Sequence, residues 1–303
     1  MEIVKILNYR EKRFGTAIAL GNFDGVHIAH QQLILTIVKN GNMYGLKPSI
    51  LLFNVHTKSI LNGKSPQLLS TREKKLRILE NLGAEIIYEV DFNELRKLSP
   101  EEFVKDILID RLNVKLVAVG FDYRFGYKAS GTPEDLKEFG KKYGFEVVVL
   151  DPIFKDDIVS STRIREFLRD GDIEKANMML GYNYSIKGKV IRGKQRGTGL
   201  GFPTANLEIP NGCIIPKIGV YETRVKLDDK VYLGATSIGK NSTFEDDVSI
   251  KIETHIIGLN KKIYGEVIEL EFIRYLREEI KFDSADKLKK QMTDDIKAIK
   301  SEH

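Results

Sequence analysis

The feature that most constrains this chain is a change of hydrophobic rhythm near Gly181. Before it, Thr16 to Leu20 (TAIAL), Ser49 to Phe53 (SILLF), Glu85 to Val90, Lys115 to Gly120 (KLVAVG) and Phe145 to Leu150 (FEVVVL) are short apolar runs without polar alternation. A strand covered on one face alternates apolar with polar residues. One covered on both faces does not, and parallel strands are of that second kind. Helical patterns separate the runs. Ile34, Ile37 and Val38 share a face within residues 28–39, residues 71–82 open on a Thr71/Lys74 turn, and Ser99-Pro100-Glu101-Glu102 reads as an N-cap with proline at the first helical position. Alternating β and α elements predict an open, doubly wound parallel sheet, whose ligands sit at the carboxyl ends of its strands.

After Gly181 the period becomes two. Tyr221, Thr223, Val225 and Leu227 fall on one face, with Glu222, Arg224 and Lys226 on the other; Ile250, Ile252, Thr254 and Ile256 repeat the pattern, as do Ile268, Leu270 and Phe272. Several such strands within about 100 residues predict a small antiparallel β-barrel. Leu288, Met292, Ile296 and Ile299 at helical spacing predict one closing helix from Ser284 to Lys300. The boundary is expected at residues 181–185, giving domains 1–183 and 184–303.

Composition narrows the functional classes. Of 303 residues, 42% are hydrophobic and 30% charged, a profile of a folded chain and not a disordered one. A single cysteine, Cys213, excludes an internal disulfide and a cysteine-built zinc cage. The opening MEIVKILNYREKRFG does not read as a secretory signal, and no stretch reaches the roughly 18 apolar residues of a membrane span. A cytoplasmic protein without membrane partners is expected. The net charge of +5 is spread among interleaved acids, tryptophan is absent, and aromatic residues form no stacking platform, which argues against nucleic acid as the main partner.

Three segments carry candidate chemistry. Gly21-Asn22-Phe23-Asp24-Gly25-Val26-His27-Ile28-Ala29-His30 follows the first of these runs and opens a helix. Glycine permits a sharp turn, a helix N-terminus offers free N–H groups to phosphate, and His27 and His30 fall on one side of the first turn. Two imidazoles there could bond the oxygens of a phosphoryl transition state; a glycine turn with two surface histidines fits the same spacing. Val159-Ser160-Ser161-Thr162-Arg163-Ile164-Arg165 opens a later helix with three hydroxyls and two guanidiniums, suited to a polyphosphate or simply to a cap. Residues 188–206 (GKVIRGKQRGTGLGFPTAN) form a cationic, glycine-rich loop that includes Gly197 and Gly199, followed by Thr204 and Asn206 on one side of an extended chain. Such oxygen donors suit Mg²⁺, which takes few protein ligands and the phosphates of its substrate; a glycine-rich hairpin is the plainer alternative. Glu253, on the polar face of Ile252-Glu253-Thr254-His255-Ile256, could accept the proton of an attacking hydroxyl.

Together these motifs resemble two known families. GNFDGVHIAH, Val119 to Gly126 (VGFDYRFG) and SSTRIR, in that order, resemble bacterial flavin adenine dinucleotide synthetases. GFPTANL, GVY, ETHI, Tyr264-Gly265 and Leu276 to Phe282 (LREEIKF) are similar, over residues 185–299, to riboflavin kinases. The order of the two matches that of bacterial bifunctional riboflavin kinase/FAD synthetases. The resemblance implies a Rossmann-like nucleotidyltransferase domain of the HxGH type followed by a riboflavin kinase-like barrel with a closing helix. It implies ATP-dependent phosphorylation of riboflavin to FMN, then adenylylation of FMN to FAD, with ATP as co-substrate and Mg²⁺ as metal.

By the same resemblance, His27, His30 and Arg163 serve adenylyl transfer, and Glu253 is the base of the kinase. Gly21, Asn22, Phe23, Gly25, Ser160, Ser161, Thr162, Gly197, Gly199, Thr204 and Asn206 bind nucleotide; Thr204 and Asn206 also hold the metal; Asp122, Phe125 and Arg277 contact flavin. The chain departs from the pattern at Ala29, where glycine is usual, at Asn54-Val55-His56-Thr57, where an acidic residue and Pro-His-Pro are usual, and at Ser242, often proline. Those in the first half leave a second expectation open: a riboflavin kinase with a degenerate, non-catalytic nucleotide-binding half.

Overall fold

A computed structural model describes residues 1–6, 14–54, 66–193, 201–241 and 249–303. By packing, the chain divides into Met1–Ser161 and Thr162–His303.

The first unit is a six-stranded parallel sheet. Its elements are β1 (Glu2–Lys5), β2 (Thr16–Leu20), α1 (Ile28–Tyr44), β3 (Lys47–Phe53), α2 (Arg72–Asn81), β4 (Ile86–Val90), β5 (Val114–Gly120), α3 (Pro133–Tyr143) and β6 (Glu146–Leu150). A small hairpin, β7 (Phe154–Lys155) and β8 (Asp157–Ile158), follows. Strand order is β1-β4-β3-β2-β5-β6. Successive residues of β2 explain why its sequence does not alternate: Ala17 and Ala19 pack with Ile34 and Ile37 of α1, while Ile18 and Leu20 pack with Val104, Leu108 and Leu112 on the other face. Both faces are dry, so every side chain is apolar or small. Helix starts follow the expected chemistry. Thr71 accepts the Lys74 N–H at 3.3 Å, and Ser99 forms a capping box with Glu102 ahead of a helical segment (Pro100–Glu102, continuing through Phe103–Ile109).

The order reverses at β2, which lies between β3 and β5, so the crevice for a ligand opens beyond the carboxyl ends of β2 and β5. β1 was not apparent in the polar opening sequence. It is an edge strand held by parallel pairing, Ile3 opposite Ile87.

The second unit carries α4 (Ser161–Asp170), which starts at the division, and α5 (Ile173–Leu180). A closed antiparallel barrel follows, with β9 (Ser185–Ile191), β10 (Ala205–Leu207), β11 (Gly219–Leu227), β12 (Lys230–Asn241), β13 (Ser249–Ile256) and β14 (Val267–Arg277) in the order β10-β13-β12-β11-β14-β9. Helix α6 (Ala285–Lys300) closes the unit, capped by Ser284, which accepts the Lys287 N–H at 3.3 Å. The inward residues match the period-two reading, with Tyr221, Thr223, Val225 and Leu227 all buried. Within the barrel, Thr223, Thr236 and Thr254 satisfy one another through hydroxyl bonds of 2.8 Å across three strands.

Two positions break the alternation. Ile250, expected inside, is 42% exposed near the start of β13. Glu222, expected in water, is 1% exposed, because the chain end covers that face. Its carboxylate accepts Arg274 Nε–H at 2.7 Å and lies 2.8 Å from His303 Nε2, and Arg274 in turn bonds the Ala298 carbonyl beside it.

Candidate active sites

In the first unit the candidate residues gather where β2 runs into α1. Gly25 takes φ 74°, a left-handed conformation natural to glycine, but Phe23 (φ 49°) and Val26 (φ 38°) adopt it as well. The turn therefore uses Gly25 as the sequence suggests, but does not rest on glycine alone. Gly21 plays a different part: a Cβ there would crowd the buried Phe23 ring at 3.3 Å. Left-handed backbone at two side-chain-bearing residues costs on the order of 1–3 kcal/mol each and is sustained by surroundings that over-determine it. Here Phe23 and Val26 are fully buried, and Leu69 N–H donates to the Asp24 carboxylate at 3.1 Å.

The turn delivers His27 as the N-cap of α1 and His30 within its first turn, with no side-chain cap on the helix N–H groups. The two rings stack, centroids 3.7 Å apart and tilted by 17°, and Phe23 lies 5.1 Å from His30. Burial, then the neighbouring His27 and Lys75, hold the His30 pKa well below the ordinary imidazole range. His30 is thus neutral at neutral pH, a hydrogen-bond donor and not a source of charge. Its Nδ1 is buried and has no hydrogen-bond partner among the described residues.

Ser161, at the start of α4 and the last residue of the first unit, donates to the Asp24 carbonyl at 3.0 Å. Thr162 and Arg163 follow in the second unit. There Arg163 pairs with Glu166 at 2.9 Å and lies over the Phe167 ring at 4.3 Å. Sequence reasoning missed Lys75. Its Nζ reaches from α2 to the Asn22 carbonyl at 3.4 Å, a proximity no local pattern announces.

At the adjoining strand end, Asp122 is exposed beyond β5, its Oδ1 close above Gly120. Phe125 is 6% exposed and packs against Phe103 and Tyr123, with centroids at 5.6 and 5.8 Å. It supports the segment from beneath. Phe121 is exposed beside it, and Tyr127 just beyond is exposed as well. Residues 55–57 lie outside the described residues, as do Gly197, Gly199 and Ser242.

In the second unit the register of β10 against β13 sets Asn206 directly opposite Glu253. Directly opposed residues share a sheet face, so an amide and a carboxylate stand side by side there. Lys251, two residues along, pairs with Glu253 at 2.5 Å. Asn206 is buried, and its side chain occupies the space beside Gly193, where a Cβ would come within 2.2 Å of Nδ2 and 2.6 Å of Oδ1. Thr204 precedes it by two residues, half-buried. His255 Nδ1 lies 2.9 Å from the Pro203 carbonyl, and Phe202 meets the same imidazole edge-on, which fixes the chain ahead of Thr204. Arg277 is not loose beside this strand end. Its guanidinium forks onto Asp295 of α6, at 2.9 Å from Nε and 2.7 Å from Nη2.

Comparison with known proteins matches both units. A family model described as FAD synthetase covers residues 10–163, and one described as riboflavin kinase covers residues 180–302. Proteins named bifunctional riboflavin kinase/FMN adenylyltransferase resemble the chain from end to end. That of Listeria monocytogenes is 38% identical over 92% of this chain and 89% of its own, and that of Bacillus subtilis 37% identical over 94% and 92%. The Escherichia coli K12 protein is 31% identical over 93% and 90%. A solved Streptococcus pneumoniae structure, titled a macrolide-efflux protein, superposes with a TM-score of 0.91 at 31% identity, covering 99% of this chain and 98% of that one. Among the described residues of this chain, no helix is long and apolar enough to cross a membrane.

Proposed function

Because the chain belongs to the bifunctional riboflavin kinase/FMN adenylyltransferase family, we infer that it phosphorylates riboflavin to FMN with ATP and then adenylylates FMN to FAD. The carrying observation is that both family domains are present in one chain, which favours two activities over a kinase with a vestigial partner. We assign the adenylyltransferase to residues 1–183 and the kinase to residues 184–303. An enzyme that consumes ATP twice belongs where ATP is made available, and we place it in the cytoplasm.

In the kinase half, the terminal hydroxyl of riboflavin attacks the γ-phosphorus of ATP, the bond to the β-bridging oxygen breaks, and ADP leaves. We assign Glu253 as the base that takes the hydroxyl proton, and its place opposite Asn206 supports this. The hydroxyl of Thr204 and the amide oxygen of Asn206 are hard donors suited to Mg²⁺, and the close fit of Asn206 beside Gly193 pre-sets one of them. When bound, the ion would supply charge neutralisation to the ATP phosphates. Arg277, through Asp295, would hold the strand end where we expect flavin to lie.

In the adenylyltransferase half, an FMN phosphate oxygen attacks the α-phosphorus of a second ATP, and pyrophosphate leaves. The free N–H groups of α1, with His27 and His30, would bond the oxygens that gain charge. Ser160 to Arg163 would add hydroxyls and a guanidinium, and Asp122 a polar contact to flavin. Incubating the protein with riboflavin, ATP and Mg²⁺ and resolving products over time tests the reading. FMN should rise first and FAD follow at its expense. FMN that accumulates without FAD, even when FMN is supplied directly, would reduce the activity to that of a kinase.

A further inference from the structure

We propose that the Lys75 ammonium is a further ATP-binding group of the adenylyl-transfer site, a cation held against the polyphosphate by α2. The inference deepens the adenylyltransferase reading and rests on it.

Lys75 occupies the first turn of α2, where its N–H bonds the Thr71 carbonyl at 3.0 Å. The side chain then runs to the β2–α1 turn, and its Nζ stops 3.4 Å from the Asn22 carbonyl. Two contacts make this placement deliberate. The segment leading into α2 is fastened to the same turn by Leu69 N–H on Asp24, and the negative Asp24 draws the ammonium inward. An ammonium carries three donors, yet among the described residues Lys75 makes this one long hydrogen bond. Burial also depresses its pKa, with Asp24 opposing the shift. A partly desolvated ammonium with donors to spare gains most from an anion brought to it.

The rest of the turn explains what the cation is for. A polyphosphate carries several negative charges, and the N-terminus of α1 offers about half a unit of positive charge. His30 is kept neutral, in part by Lys75 itself. It can direct a hydrogen bond but neutralises nothing. Lys75 lies close enough to His30 to act on it electrostatically, and it supplies the full charge that the His30 imidazole does not. A simpler role, as counter-ion to Asp24, would leave the ammonium on the carboxylate. Its bond instead goes to the carbonyl of Asn22, on the strand side of the turn.

The test uses the whole protein with supplied FMN and MgATP, and with Lys75→Met, Lys75→Gln and Lys75→Arg variants. Lost charge-assisted contact predicts kcat/KM for ATP down by about tenfold or more in the Met and Gln variants. KM for FMN should stay within twofold, and Lys75→Arg should recover most of the loss. Inhibition by pyrophosphate should weaken in parallel with ATP, while inhibition by adenosine is unchanged, which a merely structural lysine would not produce. Riboflavin phosphorylation reports on folding and should match the unmodified protein. The inference is overturned if kcat/KM for ATP is unchanged in the Gln variant, or if ATP, FMN and adenosine all weaken together. Should the unmodified protein make no FAD, the adenylyltransferase reading fails first and takes the lysine with it.

Discussion

An imidazole surrounded by protein, a second imidazole and an ammonium is a poor place for a proton, and His30 is in that position. The consequence for stability has a definite sign. Its folded-state pKa lies below the unfolded value near 6.5, so the unfolded chain binds the proton first as pH falls. The contribution of this group is present above about pH 6.5 and is lost as pH drops below it, at a slope of at most about 1.4 kcal/mol per pH unit. The thermal midpoint of the protein should therefore fall between pH 7.5 and pH 5.5, and that of His30→Gln should fall less. Equal slopes for the two proteins would show that His30 is protonated without penalty. The same turn stores left-handed backbone at Phe23 and Val26, which no sequence pattern announces. Sequence shows two glycines and two histidines there; it does not show that neighbouring residues carry the strain.

At the level of elements, the second candidate site depends on how closely two segments approach. Gly193→Ala would drive a methyl into Asn206, so the amide must leave its place opposite Glu253. Kinase turnover should drop by at least about tenfold, with FAD formation from supplied FMN retained. Unchanged kinase kinetics would show that the placement of Asn206 does not matter. The closing helix is anchored as firmly as the strands. Arg277 and Asp295 are 19% and 8% exposed as side chains, so Asp295→Ala leaves a largely buried guanidinium without its carboxylate. A loss of about 3 kcal/mol in the denaturant stability of the barrel unit is expected, and a loss under about 0.5 kcal/mol would mean that the clamp is solvated. These features mark where sequence reading stops. The period of β11 was legible because one face is buried in the barrel, yet it assigned Glu222 to water, since a helix that covers the other face leaves no trace in β11 itself. Arg277 reads as a flavin ligand by resemblance, and its pairing with a residue 18 positions on becomes visible only once α6 has folded back.

Across the molecule, the two architectures were legible for a common reason: hydrophobic periodicity reports how many faces of an element are covered. Strands β2 to β6 show uninterrupted or barely interrupted apolar runs, because helices lie on both sides of the sheet, and the barrel strands alternate. Contacts that join distant segments were not legible, and they include the edge pairing of β1 and the reach of Lys75. The central claim is that one chain houses two independent phosphate chemistries, and a crossed pair of variants tests it most directly. Glu253→Gln and His30→Ala would each be assayed for riboflavin phosphorylation and, separately, for FAD formation from supplied FMN. Glu253→Gln should lose FMN formation and keep FAD formation; His30→Ala should keep the first and lose the second by about 10²-fold, the scale of one missing transition-state donor. A variant that lowers both activities equally, or a Glu253→Gln kinase within about threefold of the unmodified enzyme, would contradict it.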